Sequence, residues 1–126
     1  MDVDKIIKKY KLDKEIIEIR RHIHQNPELS EMENETAEYI CKKLDEWSIE
    51  YIKGIADTGV VAIVRGGQPG NTVALRGDMD ALPINEETNL DFASINKGVM
   101  HACGHDSHVS ILLITARIIS LLKDEL

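Results

Sequence analysis

The sequence predicts an α/β fold, on three observations. Segments with helical periodicity flank two short, strongly apolar runs of strand length, VVAIVRG and TVALRGD. Glycine- and proline-rich turns separate these segments. The residues best suited to chemistry, DMD at 78–80 and HACGHDSH at 101–108, sit where a strand ends and where a helix begins. Open α/β sheets gather their functional groups at such ends.

Each element has its own justification. Residues 13 to 25 carry Ile16, Ile19 and Ile23 at helical spacing, with Asp13 placed to cap the start and Asn26-Pro27 to stop the helix. Ser30-x-x-Glu33 has the form of a capping box, opening a second helix to about Glu46 with Met32, Thr36, Ile40 and Leu44 on one stripe. Cys41 and Trp47 are expected in the core. Residues 49 to 55 alternate. The run from Val60 and the run 72–78, joined by GGQPGN, are expected to pair as a hairpin buried on both faces. Residues 81 to 100 read as loop with one short strand. The last helix spans 107 to 123, and ten of the fourteen residues from Val109 to Leu122 are apolar. Such a helix wants cover nearly all round. The elements here are too few to supply it, so the core is expected to be completed by further chain or by a second copy.

The whole chain sets limits. Its 126 residues suit one domain, and the net charge of −7 disfavours nucleic acid and anionic membrane as partners. Two cysteines make no disulfide framework, which fits a reducing compartment. The N-terminus lacks the apolar core of a signal peptide, and the apolar run ILLITARIISLL holds Arg117 and is shorter than a bilayer. A cytoplasmic setting follows as the expectation. The final KDEL is then no retention address, since nothing directs entry to the secretory route.

Cys103 and His105 offer a thiolate and an imidazole, donors that zinc accepts and that manganese, nickel or cobalt accept less readily. Gly104 permits the tight turn that points both one way. The plain alternative is a buried cysteine in a histidine-rich turn. Asp78 and Asp80 either bind metal, hold a metal-binding imidazole in one tautomer, or simply end a strand in solvent. His101, Asp106 and His108 rank second; capping is the ordinary role for Asp106, and simple exposure in the first turn that for His108. His22 and His24, beside Arg20 and Arg21, suggest a solvated helix face. Glu28 reads as a loop acid or a group behind the site.

RRHIHQNPELSEMENET, LRGDMDALPI and MHACGHDSH, in this order, resemble the N-terminal part of the aminoacylase/carboxypeptidase family of metallopeptidases. The branch is that of N-acyl-amino-acid amidohydrolases, hippurate hydrolases and plant auxin-conjugate hydrolases. The resemblance implies a zinc-peptidase-like catalytic domain with a mixed central sheet flanked by helices. Residues 1–126 would be its N-terminal segment, without the inserted dimerisation domain and the C-terminal half. It implies one or two divalent metal ions per complete site, zinc or manganese, with cobalt or nickel as other candidates. Substrates would be N-acylated amino acids or short peptides. Cys103 and His105 match metal ligands, and Asp80 the carboxylate that orients one. Asp78, His101 and Asp106 fall near the site without a separate role. In the family the general base is a glutamate lying beyond this stretch, so the chain alone is expected to be inactive. The rival reading is a non-catalytic module, or one half of a split enzyme, that binds a partner or forms a homodimer through its incomplete core.

Overall fold

The computed structural model describes residues 2–126. Five helices and one two-stranded sheet are arranged as α1 (Val3–Tyr10), α2 (Leu12–Gln25), α3 (Asn34–Glu46), β1 (Glu50–Ile55), β2 (Gly59–Ile63), α4 (His105–Leu122) and a closing 3-10 turn, Lys123–Glu125. The α/β class holds.

The core lies where α2, α3 and α4 meet. Leu12, Ile19, Ile23, Ile40, Leu44, Ile49, Val109, Leu113 and Ile114 form one buried cluster. The helical stripes explain most of it: Ile19 and Ile23 lie one turn apart on α2, and Ile40 and Leu44 one turn apart on α3. Cys41 is buried and Trp47 packs against the same cluster, as expected. Met32 departs from its stripe and stands 62% exposed, because it lies in the turn ahead of α3 rather than on the helix.

The helix starts differ from the expected caps. A first helix, α1, precedes the expected one, capped by Asp2, whose side chain accepts from the Lys5 amide at 3.1 Å. α2 then begins at Leu12 after Lys11, whose left-handed backbone (φ 55°) breaks α1 from α2, and Asp13 makes no cap. The capping box also fails: Ser30 is exposed and Glu33 caps nothing. Glu28 does the work instead, accepting from the amides of Glu35 at 3.0 Å and Thr36 at 2.7 Å, and from the Thr36 hydroxyl at 2.7 Å. One carboxylate thereby satisfies two of the open N–H groups of α3.

The hairpin is the pair β1–β2, antiparallel from Glu50↔Ile63 to Ile55↔Gly59 with an irregularity at Gly54. The expected pairing of VVAIVRG with TVALRGD does not occur. Residues 72–78 find no strand partner among the described residues, and Val73 and Leu75 are 81% and 60% exposed. Their apolar, β-branched composition suits a strand, but a strand needs a neighbour's backbone, and the described residues pair none with this segment. Both strands of the hairpin that does form are partly exposed.

α4 is longer than the apolar run within it. With its closing turn it is long and apolar enough, by length and composition, to cross a membrane. Its N-terminal half instead packs on α2 and buries two polar residues, Asp106 and Ser110, which is the packing of a core helix. Ile111 stands 55% exposed on the other side, so the near-complete cover expected for α4 is not provided by the described residues.

Candidate metal centre

Three chain segments meet beside the start of α4. Leu29 and Ala81 form a parallel bridge, and Leu82 and Met100 an antiparallel one. The Ala81 amide donates to the Glu28 carbonyl at 2.7 Å, and Leu82 and Met100 exchange amide–carbonyl bonds at 2.9 and 3.0 Å. The segment carrying Asp80 is thus the middle one of three, with the segment leading to Cys103 on one side. Gly77 brings the same segment against α4: a Cβ there would meet Leu112 Cδ2 at 3.3 Å and the His108 carbonyl at 3.4 Å. DMD and HACGHDSH, more than twenty residues apart in sequence, become neighbours by this packing.

The central contact follows. His105 Nδ1 donates to Asp80 Oδ1 at 2.8 Å and lies 3.1 Å from the Asp80 carbonyl. Both partners are acceptors, so Nδ1 carries a proton. In the neutral ring Nε2 then keeps its lone pair. A metal-binding histidine is commonly fixed in this way, its second nitrogen tied to a carboxylate. Gly104, with φ +90°, makes the left-handed turn into α4 that a side chain would strain. Cys103, just before it, is a free and exposed thiol rather than a buried one. His108 lies one turn further, its ring centroid 5.5 Å from that of His105.

The other candidates are sorted differently. Asp78 pairs with Arg76 at 2.6 Å on the surface and is not drawn toward His105. His101 is 3% exposed, and both its ring nitrogens lack a hydrogen-bond partner among the described residues. Burial pushes its pKa down, while the nearby Asp106 carboxylate acts the other way. Asp106 is fully buried and caps nothing. Its Oδ2 lies 2.8 Å from His24 Nδ1 and 2.8 Å from Arg20 Nε.

His24 corrects the expectation of a solvated face. It is 2% exposed, and its Nε2 donates to Glu86 Oε1 at 3.0 Å. Glu86 in turn accepts from the Thr88 hydroxyl and the Ser94 amide, each at 2.6 Å. Burial raises the Glu86 pKa, but the bonds from Thr88, His24 and Ser94 outweigh it and bring the carboxyl to about 2. His22, two residues earlier, is exposed and stacks on Tyr39 with ring centroids 3.9 Å apart. Arg20, His24 and Glu86 were invisible as a group because their partners lie 62 to 86 residues away; the only local sign was a histidine within the RRHIH run.

Do these residues fit a metal? Cys103 and His105 have the right donor chemistry, and Asp80 fixes His105 in the right tautomer. Among the described residues no group of three or more His, Cys, Asp or Glu side chains converges as a complete cage. A catalytic zinc site takes three protein ligands, so Cys103 and His105 could supply at most part of one.

Comparison with known proteins finds relatives for most of the chain. Residues 74–126 match the model of peptidase family M20/M25/M40, a stretch that includes DMD and HACGHDSH. The solved structure of the Bacillus subtilis YXEP protein, described as a dinuclear metal binding peptidase from the M20 family, superposes with a TM-score of 0.89 at 42% identity. That superposition takes in 93% of this chain and 33% of YXEP. The chain resembles the N-terminal part of the M20 peptidases. An N-acyl-L-amino acid amidohydrolase of Geobacillus stearothermophilus is 45% identical over 125 residues, 99% of this chain and 33% of that enzyme. Thermostable carboxypeptidase 2 of Saccharolobus solfataricus is 51% identical over 110 residues, 86% of this chain and 28% of that protein. The chain therefore spans about a third of the length of these relatives.

Proposed function

We propose that residues 1–126 are the N-terminal segment of the catalytic domain of a metal-dependent amidohydrolase. Its reaction would be hydrolysis of the amide bond of N-acylated amino acids or short peptides. The observation that carries this is the 2.8 Å bond from His105 to Asp80, beside a free, exposed Cys103. Relatives named as an amidohydrolase and a carboxypeptidase supply the reaction class.

Cys103 Sγ and His105 Nε2 are the donors this chain would offer to a divalent ion, zinc or manganese first, cobalt or nickel otherwise. The chemistry such an ion supplies is Lewis-acid polarisation of the scissile carbonyl. Asp80 keeps the Nδ1 proton of His105 in place, which leaves Nε2 as the nitrogen that would bind such an ion and would raise its basicity. Cys103 must shed its proton to bind, so uptake releases a proton and strengthens as pH rises. The general base and the remaining ligands belong to chain outside these residues. A cytoplasmic setting and a homodimeric or completing partner are part of the same reading.

Cobalt(II) titration of the chain tests it. A thiolate-to-cobalt absorption band should grow with weak affinity and disappear in Cys103→Ser. No such band in the intact chain would remove the metal reading. Hydrolysis of N-acetyl or N-benzoyl amino acids should be undetectable. Robust metal-dependent turnover by the 126 residues alone would show that they are no mere part of the site.

A further inference from the structure

Four charged or polar groups are sunk together beneath the HACGHDSH loop. Arg20 and His24, one turn apart on α2, both reach Asp106 Oδ2 at 2.8 Å. Asp106 is wholly buried in the first turn of α4, adjacent to His105. His24 then bonds Glu86 at 3.0 Å, with both of these side chains 3% exposed. Glu86 gathers its own loop through Thr88 and Ser94. Further along that loop, the Ile95 amide donates to the Gln25 carbonyl at 3.0 Å and Asn96 Nδ2 to the Pro27 carbonyl at 2.9 Å. Phe92 closes the arrangement, edge-on to His24 at 5.6 Å and under the guanidinium groups of Arg20 and Arg21 at 5.1 and 4.8 Å.

Such a cluster is a poor way to gain stability. Desolvating charges offsets most of their attraction, and apolar replacements often serve as well. Its distinguishing property is directional. Each nitrogen of the His24 ring faces one carboxylate, so the ring fixes the distance and angle between α4 and the 86–94 loop.

We propose that His24 is the positioning residue of the metal-binding loop: through Asp106 it fixes the first turn of α4, and so sets where Cys103 and His105 stand relative to Asp80. The loop is then held at both ends. Met100 is tied to Leu82 at one end, and Asp106 is tied to His24 and Arg20 at the other. Between the two anchors, residues 101–104 carry no regular structure, and Gly104 supplies no stiffness. The inference rests on the proposed metal site for its purpose, but its structural claim can be tested without metal.

The test compares amide hydrogen exchange in the wild-type chain and in His24→Gln. The amides of Met100, Ala102, Ser107 and His108 all donate in the structure and serve as reporters. In His24→Gln they should exchange clearly faster while the amides of Ile40 and Leu44 keep their protection, and metal affinity should fall about 10- to 100-fold, as on loss of a partner that orients a ligand. The cobalt(II) midpoint should rise by a similar factor. Leu44→Ala, which weakens the core and leaves the ring intact, should not move that midpoint. Wild-type exchange at the four reporters in a folded His24→Gln overturns the proposal. If His24→Gln does not fold, Asp106→Asn decides, because it weakens the link between α4 and His24 itself: faster reporter exchange supports the inference and unchanged exchange overturns it. Should the wild-type chain take up no cobalt, the proposed function falls, and the reporters still decide the role of His24.

Discussion

At the scale of single residues, the most informative contact is the bond between Asp80 and His105. Asp80→Ala should lower cobalt(II) affinity by about 10- to 100-fold with little change in folding, since Asp80 is partly exposed and its loss frees the ring rather than opening a cavity. Titration calorimetry and a denaturation curve separate the two effects. The buried polar groups predict how stability changes with pH. Glu86 has its folded pKa lowered from 4.5 to about 2, so the unfolded chain binds its proton first. The stability it contributes is complete above about pH 4.5 and is lost as pH falls toward 2. His101 acts in the same direction at higher pH. Burial lowers its pKa below 6.5, so stability falls as pH drops below that value. Urea midpoints measured from pH 7 to 3 should decline in two arms, and Glu86→Gln should flatten the lower arm. The sequence made Asp80, Cys103 and His105 legible because donor chemistry and motif spacing are local properties. It hid His24 because a partner 82 residues away leaves no mark on the neighbouring residues.

At the scale of elements, periodicity located α2, α3 and α4 to within a few residues, because each stripe buries its own apolar face. The caps were not legible. Ser30-x-x-Glu33 has the right composition, yet Glu33 instead accepts from the Thr58 hydroxyl at 2.9 Å, and the cap comes from Glu28 across a turn. Glu28→Ala should therefore cost about 1 kcal/mol or somewhat more, a full cap loss, while Ser30→Ala should cost almost nothing. Thermal denaturation of the two variants checks this. The hairpin gives a second expectation. A Cβ at residue 59 would lie 2.5 Å from the Ile55 carbonyl oxygen, so Gly59→Ala must shift the strand pairing. It should destabilise the chain by about 1–3 kcal/mol and speed amide exchange across β1 and β2 before the helices respond. The segment 72–78 shows the opposite failure. Its composition specifies a strand, but composition cannot state whether a partner strand is at hand.

At the scale of the whole molecule, the core is well formed on one side and open on the other. Leu44 is 1% exposed, and Leu44→Ala should cost about 2–5 kcal/mol in a denaturant titration. Val73, Leu75 and Ile111 are apolar and exposed, which is the pattern of a surface awaiting cover. Sedimentation should show concentration-dependent association of the chain, and Val73→Lys with Leu75→Lys should reduce it. An unchanged sedimentation profile in that double variant would place the contact elsewhere. The imbalance was foreseeable from α4, whose apolar residues outnumber the faces that two helices and a hairpin can offer.

Cys103 has a consequence of its own. Its partner in composition, Cys41, is buried, and desolvation raises the pKa of that thiol, so it is slow to ionise and slow to react. Cys103 is open to solvent. Peroxide would therefore convert this thiol first, and a sulfenic or sulfinic group cannot serve as the thiolate donor. The atom proposed to recruit the metal is thus the one an oxidant would modify first, and a bound ion would act as its shield.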